Sequence, residues 1–198
     1  VKKNGGKAIL TKDTHKTGTD RIYEALQKVN DPNIDLVMNI QGDEPLININ
    51  DIRNLNSQMI KSNFELGTLA SEISEKNIYE NQNTVKVKTN ENLNALNFPE
   101  AVNFIRTASN KDLNIYQHLG IYCYNKYTLE KFVSFIQSPN EIKNRLEQLR
   151  ALDNGININV ALAKSSSIGI DTMEDFVAIK KIKEYKSSWV RFIFKEHL

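Results

Sequence analysis

The chain has 198 residues, of which 40% are hydrophobic and 25% charged, as in ordinary globular proteins. A chain of this length can fold as one domain that buries roughly 70% of its unfolded surface. With 26 basic and 24 acidic residues, the net charge of +2 gives no overall bias towards nucleic acid. No apolar run approaches the length of a membrane span, and the single cysteine, Cys123, excludes an internal disulfide framework. We therefore expect one domain over residues 1–198, located in the cytoplasm.

Strands and helices alternate in the first half of the chain. A Gly-Gly break near the start precedes a short apolar segment, and further apolar runs are separated by amphipathic or polar stretches. The predicted elements are, in chain order, a strand at 7–11, a helix at 20–29, a strand at 35–40, a helix from about 50 to 61, and strands at 66–73, 84–89 and 93–98. Residues 103–116 read as a loop.

The second half continues the alternation with more helix. The predicted elements are a strand at 119–124, helices at 127–136 and 141–152, a strand at 156–163 and a helix at 171–185. Ser138-Pro139-Asn140 separates the first two helices, and Asn154-Gly155 ends the second. Alternating strands and helices predict an α/β fold with a largely parallel sheet.

Two acids follow the predicted strand at 35–40, within Gln41-Gly42-Asp43-Glu44-Pro45. Ligands of open α/β sheets bind beyond the carboxyl ends of the strands. Adjacent acids there suit Mg²⁺, which prefers oxygen ligands and often takes one or two carboxylates together with phosphate oxygens. The alternative is a solvated Asp-Glu turn, and this short pattern alone does not decide between them.

Asp171 opens the last predicted helix directly after an apolar segment, Ile168-Gly169-Ile170. An aspartate in this position is usually a helix N-cap. It would instead complete a Mg²⁺ site if it faced Asp43 across the edge of the sheet. Sequence spacing does not distinguish the two roles.

Three further groups of polar residues are candidate binding residues. Thr17-Gly18-Thr19-Asp20-Arg21 stands before the first helix and can present backbone N–H groups to an anion or a base edge, although helix capping also explains it. His118 precedes the strand at 119–124. Glu147 and Gln148 lie beside a stripe of leucines, where a solvated helix edge is the plainer interpretation.

Five segments taken together, in this order, resemble one enzyme family. They are HKTGTDR, VMNIQGDEPLI, HLGIYCYN, LEQLRALDNGI and GIDTMEDF. The chain resembles the CMP-Kdo synthetases, the 3-deoxy-manno-octulosonate cytidylyltransferases, from about Ala8 to Val177. The resemblance implies a Rossmann-like nucleotidyltransferase core with a mixed, mostly parallel sheet. It also implies a small inserted dimerisation subdomain within about Ala70–Leu119.

The resemblance also implies an activity and the residues that perform it. Members of the family transfer CMP from CTP to 3-deoxy-D-manno-octulosonate (Kdo) with Mg²⁺ and release pyrophosphate, as homodimers that supply lipopolysaccharide synthesis. The family motifs place the catalytic metal ligands at Asp43 and Asp171. They place nucleotide-binding residues at Thr17, Gly18, Asp20, Arg21 and Gln41. They place the sugar-binding residues at Gln41, His118, Glu147 and Gln148.

Two departures from the family pattern affect these expectations. Relatives begin with an Arg- and Lys-containing phosphate loop, and nothing like it occurs in this sequence. We therefore expect a single nucleotide-diphospho-sugar transferase-like domain truncated at its N-terminus, with weak CTP binding. The second departure is that Phe98-Pro99-Glu100 stands where we expect the family's Phe-Ser-Arg, whose arginine contacts the sugar. Arg106 is a substitute from the same loop.

Two other functions remain open at this point. The chain could be a cytidylyltransferase for another acidic sugar, because Glu100 has the wrong sign for a carboxylated substrate. It could also be an inactive remnant that retains sugar binding and dimerisation. The phosphate loop separates the active from the inactive interpretation.

Overall fold

A computed structural model of the chain describes residues 3, 5–42, 46–62, 64–164, 173 and 176–181. Its helices and strands account for most of the predicted elements. In chain order they are α1 (Gly18–Val29), β1 (Leu36–Asn39), α2 (Ile49–Ser62), β2 (Leu66–Ser71), β3 (Lys86–Thr89), β4 (Ala101–Ile105), β5 (Ile115–Asn125), α3 (Lys126–Ser134), α4 (Pro139–Asn144), α5 (Gln148–Asp153) and β6 (Ile158–Leu162). Residues 176–181 are also helical.

The six strands form one mixed sheet in the order β4-β3-β5-β2-β6, and β1 also pairs with β5. The long strand β5 lies at its centre and is antiparallel to β1, β2 and β3. Because β6 is parallel to β2, strands β1, β2, β3 and β6 all run in the same direction. Their carboxyl ends therefore point to one edge of the sheet.

The expected α/β fold with a mixed sheet is confirmed, but the expectation of mostly parallel pairing is wrong. Among the described residues, β2 with β6 is the one parallel pair of strands. Helix α2 connects β1 to β2 and allows the two strands to run in the same direction, as expected where strands and helices alternate along the chain. The two strands are not neighbours, however, because β5 enters from the opposite direction and occupies the place between them.

Three predicted elements differ from the structure. Residues 7–11 form no strand: they are largely exposed, and a carbonyl of this segment is bonded by a side chain of α1. The strand predicted at 93–98 lies instead at 101–105, because Asn94 and Asn97 close a side-chain-bonded turn there. The helix predicted at 141–152 is two helices, because Arg145 takes a left-handed conformation with φ of 53°.

Apolar side chains cover both faces of the sheet. On one face, Tyr122 and Tyr124 of β5 pack with Phe132 of α3 and Leu149 of α5. On the other face, residues of α2 pack against alternate residues of β5, including Cys123. The thiol of Cys123 is fully buried, which raises its pKa to about 11 and agrees with its expected role as a small core residue.

Candidate active site

The candidate site lies at the edge where the parallel-running strands end. β1 ends at Asn39 and is followed by Gln41, and β6 ends at Leu162 and is followed by Lys164. Loops beyond carboxyl ends are where α/β sheets bind ligands. The two predicted metal ligands, Asp43 and Asp171, lie outside the described residues. The segments that lead to them both leave this same edge.

Asp51 anchors the chain where it leaves β6. Its carboxylate accepts hydrogen bonds from the backbone N–H of Lys164 at 3.2 and 3.3 Å, measured to its two oxygens. Asp51 is buried in the first turn of α2, and this burial raises its pKa. In the structure Asp51 fixes the start of the segment that leads to Asp171.

Two observations bear on whether this edge of the sheet could bind Mg²⁺: the direction of the strands that precede Asp43 and Asp171, and the oxygen ligands that these residues offer. The described residues contain no group of three or more His, Cys, Asp or Glu side chains that would hold a metal ion. Asp43 and Asp171 each follow one of two strands that run in the same direction. A site of two carboxylates completed by phosphate oxygens suits Mg²⁺, which keeps few protein ligands.

A bulge in β5 lies next to this edge. Thr68 of β2 is opposite Tyr122, but the next residue, Leu69, is opposite Leu119, so that β5 has two additional residues. The hydroxyl of Thr68 is 2.7 Å from the carbonyl oxygen of Ile121 and donates to it. Bulges of this kind re-aim side chains and are frequent beside active sites.

His118 stands immediately before the bulge as a neutral side chain. Since the Thr68 hydroxyl donates its proton to Ile121, its oxygen accepts from Nε2–H of His118 at 2.9 Å, which leaves Nδ1 as an acceptor. The rings of Phe104 and Tyr122 pack against the imidazole at 5.0 and 5.5 Å. Burial lowers the pKa of His118 to about 3, so the ring is uncharged at neutral pH.

Gln41 reaches the same bulge from the end of β1. Its Nε2 donates to the carbonyl oxygen of Gly120 at 3.3 Å. A Cβ on Gly120 would lie 3.5 Å from this nitrogen, which is ordinary van der Waals contact. The structure thus brings Gln41 and His118, two predicted sugar-binding residues, to one short stretch of β5.

The predicted nucleotide loop forms the N-terminus of α1. Thr17 is the N-cap: its hydroxyl accepts from the backbone N–H of Asp20 at 3.3 Å and lies 3.0 Å from an oxygen of the Asp20 carboxylate. The Cα of Gly18 faces open space, because a Cβ at this position would have no other atom within 4 Å. The guanidinium of Arg21 donates to Thr11 and to the backbone of Lys12, which precede the loop.

A cleft of about 280 Å³ lies beside this loop. It is lined by Thr17 and Asp20 together with Gln137 and Arg150. Arg150 forms a buried ion pair with Glu141, in which its Nε and an Nη donate at 2.8 and 2.6 Å. The cleft therefore joins the predicted nucleotide loop to α5, the helix that begins with the predicted sugar residue Gln148.

Glu147 and Gln148 lie on the face of the sheet that carries His118 and Tyr122. Gln148 is buried, and among the described residues the buried Oε1 of Glu147 has no hydrogen-bond partner. The pKa of Tyr122 is raised, first by burial and then by the nearby Tyr124 and Glu147. A buried, unpaired carboxylate oxygen is costly and is typical of a site that a ligand completes.

The sequence analysis did not predict the ion pair between Glu141 and Arg150, which lie on either side of the helix break at Arg145. It predicted one continuous helix over 141–152, in which the contact between these two residues was not expected. Glu100 directly precedes β4 and Arg106 directly follows it, so the expected replacement and its substitute stand at opposite ends of one strand. The replacement of the family's arginine by Glu100 stays a prediction.

Comparisons with known proteins identify the family of this chain. A family model described as cytidylyltransferase matches residues 1–159. The chain is 42% identical over 192 residues to the 3-deoxy-manno-octulosonate cytidylyltransferase of Thermodesulfovibrio yellowstonii, covering 91% of this chain and 75% of the relative. It is 36% identical to the enzyme of the same name from Parabacteroides distasonis, covering 88% and 73%.

The structure also resembles a solved CMP:2-keto-3-deoxy-manno-octonic acid synthetase complexed with CTP. The TM-score is 0.78 at 32% identity, and the match covers 95% of this chain and 75% of that chain. The fold and the family model together place the chain in the cytidylyltransferase family, a class of nucleotidyltransferases. Within that class it belongs to the 3-deoxy-manno-octulosonate cytidylyltransferases, the CMP-Kdo synthetases.

Proposed function

We propose that this chain transfers CMP from CTP to Kdo, giving CMP-Kdo and pyrophosphate. The observation that carries the proposal is the match over 95% of the chain to a synthetase complexed with CTP. Other acidic sugars are not favoured, because the curated relatives carry the Kdo enzyme's name.

The reaction is an attack by the anomeric hydroxyl of the sugar on the α-phosphorus of CTP. A new O–P bond forms as the bond between the α-phosphorus and its bridging oxygen breaks, and pyrophosphate leaves. Asp43 and Asp171 would hold Mg²⁺, which neutralises phosphate charge and positions the nucleophile. The protein contributes positioning and electrostatic stabilisation.

The nucleotide lies, in this proposal, at the N-terminus of α1. Thr17, Gly18 and Asp20 present polar groups to the cytosine end, and the open space over Gly18 admits close approach. Arg21 supports the loop through its bonds to Thr11 and Lys12. Gln41, at the end of β1, lies between the nucleotide and the sugar.

The sugar lies over the bulge of β5. Neutral His118 accepts a sugar hydroxyl at Nδ1, since its Nε2–H is used by Thr68. The buried Oε1 of Glu147 accepts another hydroxyl, which removes the cost of leaving that oxygen unpaired. Gln148 supplies an amide at the start of α5.

The test is direct detection of CMP-Kdo from CTP and Kdo by ³¹P nuclear magnetic resonance. The assay compares this chain with the same chain extended by the N-terminal segment of a relative that carries the phosphate loop. We expect CMP-Kdo from the extended protein with little from the shorter one, and loss of the product with Asp43→Asn. Failure of the extended protein to form CMP-Kdo, or equal use of an unrelated acidic sugar, would contradict the proposal.

We also propose that the protein acts as a homodimer in the cytoplasm, where its product supplies lipopolysaccharide synthesis. The expected insertion carries three exposed apolar side chains, Leu96, Val102 and Leu113, which suit a subunit contact. Sedimentation equilibrium tests the dimer, and Leu113→Asp should weaken it. None of the helices in the described part of the chain is long and apolar enough to cross a membrane.

A further inference from the structure

Arg106 connects three separate parts of the chain at the end of β4. Its Nε donates to the carbonyl oxygen of Asn144 at 2.9 Å, and one Nη donates to that of Arg145 at 3.1 Å. The other Nη donates to the carbonyl oxygen of Gln82 at 2.9 Å. Each of the three guanidinium nitrogens therefore donates to a backbone carbonyl oxygen.

The backbone of Arg106 is held in turn by a buried lysine. Nζ of Lys86, on β3, donates to the carbonyl oxygens of Arg106, Asn81 and Thr84 at 2.6, 2.6 and 2.8 Å. Lys86 is fully buried, which lowers its pKa, and the charge of Arg106 lowers it further. Two adjacent cations therefore direct their hydrogen bonds to backbone carbonyls.

The carbonyls that Arg106 holds belong to the turn that breaks the predicted long helix. Asn144 ends α4 and Arg145 is its left-handed cap, a conformation that costs energy in a residue with a side chain. Carbonyls at a helix C-terminus lack partners within the helix, and Arg106 supplies donors to two of them. The very next residues are Leu146, which is buried, and then Glu147 and Gln148.

We propose that Arg106 is a positioning residue for sugar binding: it fixes the turn at Asn144–Arg145 so that Glu147 and Gln148 face the sugar. This inference rests on the proposed function for its substrate. Arg106 acts through the turn, because three of its N–H groups are committed to backbone carbonyl oxygens and two of those carbonyls belong to the turn. Without Arg106, the turn between α4 and α5 would lose these hydrogen bonds. Residues 141–152 would then be free to form one continuous helix or to fray at the turn.

The first experiment measures amide hydrogen exchange in the free protein and does not depend on catalysis. Arg106→Ala should speed exchange about tenfold or more at the amides of Leu146, Leu149 and Arg150, since hydrogen bonds to a charged group are lost. Arg106→Lys should have a smaller effect, because lysine reaches fewer carbonyls. Lys88→Ala, a change at an exposed lysine of β3, is the matched control and should change nothing.

The reference amides are those of Val160 and Ala163, which bond to Pro99 and Ala70 at 2.8 Å. Exchange that rises by the same factor at these amides would show general destabilisation and overturn the proposal. Unchanged exchange at residues 146–150 in Arg106→Ala would also overturn it. Both results apply whether or not the protein makes CMP-Kdo.

The second experiment compares binding of Kdo with binding of its uncharged methyl ester, in the protein extended to include a phosphate loop. A positioning role predicts that Arg106→Ala weakens both ligands by a similar factor and leaves the KM for CTP within about twofold. Loss of affinity for the acid alone would show that Arg106 contacts the carboxylate, and would overturn the proposal. If the unaltered protein binds neither sugar, the proposed function fails, and the exchange experiment still decides the role of Arg106 at the turn.

Discussion

The predicted nucleotide loop, residues 17–21, and the proposed sugar pocket, the residues around the bulge of β5, are built in contrasting ways. At the loop, Thr17 and Asp20 are three residues apart, and their bonds are made within one turn of α1. In the sugar pocket, Thr68 and His118 are fifty residues apart, and Gln41 reaches Gly120 from seventy-nine residues away. The loop is a local structure, whereas the pocket exists only when the whole sheet is assembled. Changes in the two regions should therefore differ in their effect on stability.

The largest expected effect is at the buried pair that joins the regions, Glu141 and Arg150. Arg150→Met leaves the Glu141 carboxylate buried without its partner, which should lower the free energy of unfolding by about 3–5 kcal/mol. Urea denaturation measures the loss. The double change Glu141→Leu with Arg150→Met is the control and should recover most of it. A loss as large in the double variant as in the single one would contradict the assignment.

His118 should make stability depend on pH. Burial lowers its pKa from 6.5 to about 3, so between these values the unfolded state binds a proton that the folded state does not. The free energy of unfolding should therefore fall as the pH drops from about 6.5 towards 3, by up to about 1.4 kcal/mol per unit. Urea denaturation at several pH values measures this slope. His118→Gln should reduce it, whereas His15→Gln, in the local region, should leave the slope from His118 in place.

Glu147→Gln should weaken sugar binding and strengthen the fold. The change removes the charge of a half-buried carboxylate whose buried Oε1 has no hydrogen-bond partner among the described residues, so the free energy of unfolding should rise by about 0.5–1 kcal/mol. Loss of a hydrogen bond from sugar to a charged group should weaken Kdo binding roughly tenfold or more. Calorimetry of sugar binding and urea denaturation measure the two effects. A variant that is less stable than the parent would show that the carboxylate has a structural partner.

Thr17→Ala should have a small effect on the fold and a local effect on binding. It removes the N-cap of α1, which should lower the free energy of unfolding by about 1 kcal/mol. The KM for CTP should rise while the affinity for Kdo stays unchanged, because the loop does not belong to the sugar pocket. Thr17→Ser, which keeps the hydroxyl, is the control. An equal loss of Kdo affinity would show that the two regions are coupled.

The same contrast explains what the sequence could predict. The helix at 20–29, the strands around 36–39 and 66–71 and the cap at Thr17 follow from local patterns, and the structure has them within a few residues. The break at Arg145 could not be read from spacing, because it depends on Arg106 donating from thirty-eight residues away. The place of β5 between β1 and β2 was missed for a similar reason, since pairing partners are not encoded in either strand alone.

The residues of the site divide in the same way. The motifs predicted Gln41 and His118 as sugar-binding residues, and the structure brings both side chains to the bulge of β5. Their binding of the sugar stays a prediction. It could not be foreseen that His118 is neutral, because this depends on the rings of Phe104 and Tyr122. The metal ligands Asp43 and Asp171 remain a prediction.

The central position of β5 has a consequence for synthesis on the ribosome. β1 and β2 both pair with β5, which follows β2 by more than forty residues in the chain. At about 5–20 residues per second, these two strands emerge several seconds before their shared partner does. During that interval the backbone N–H and C=O groups that pair with β5 have no partner strand, so the nascent chain is a natural client for chaperones that shield unpaired strands.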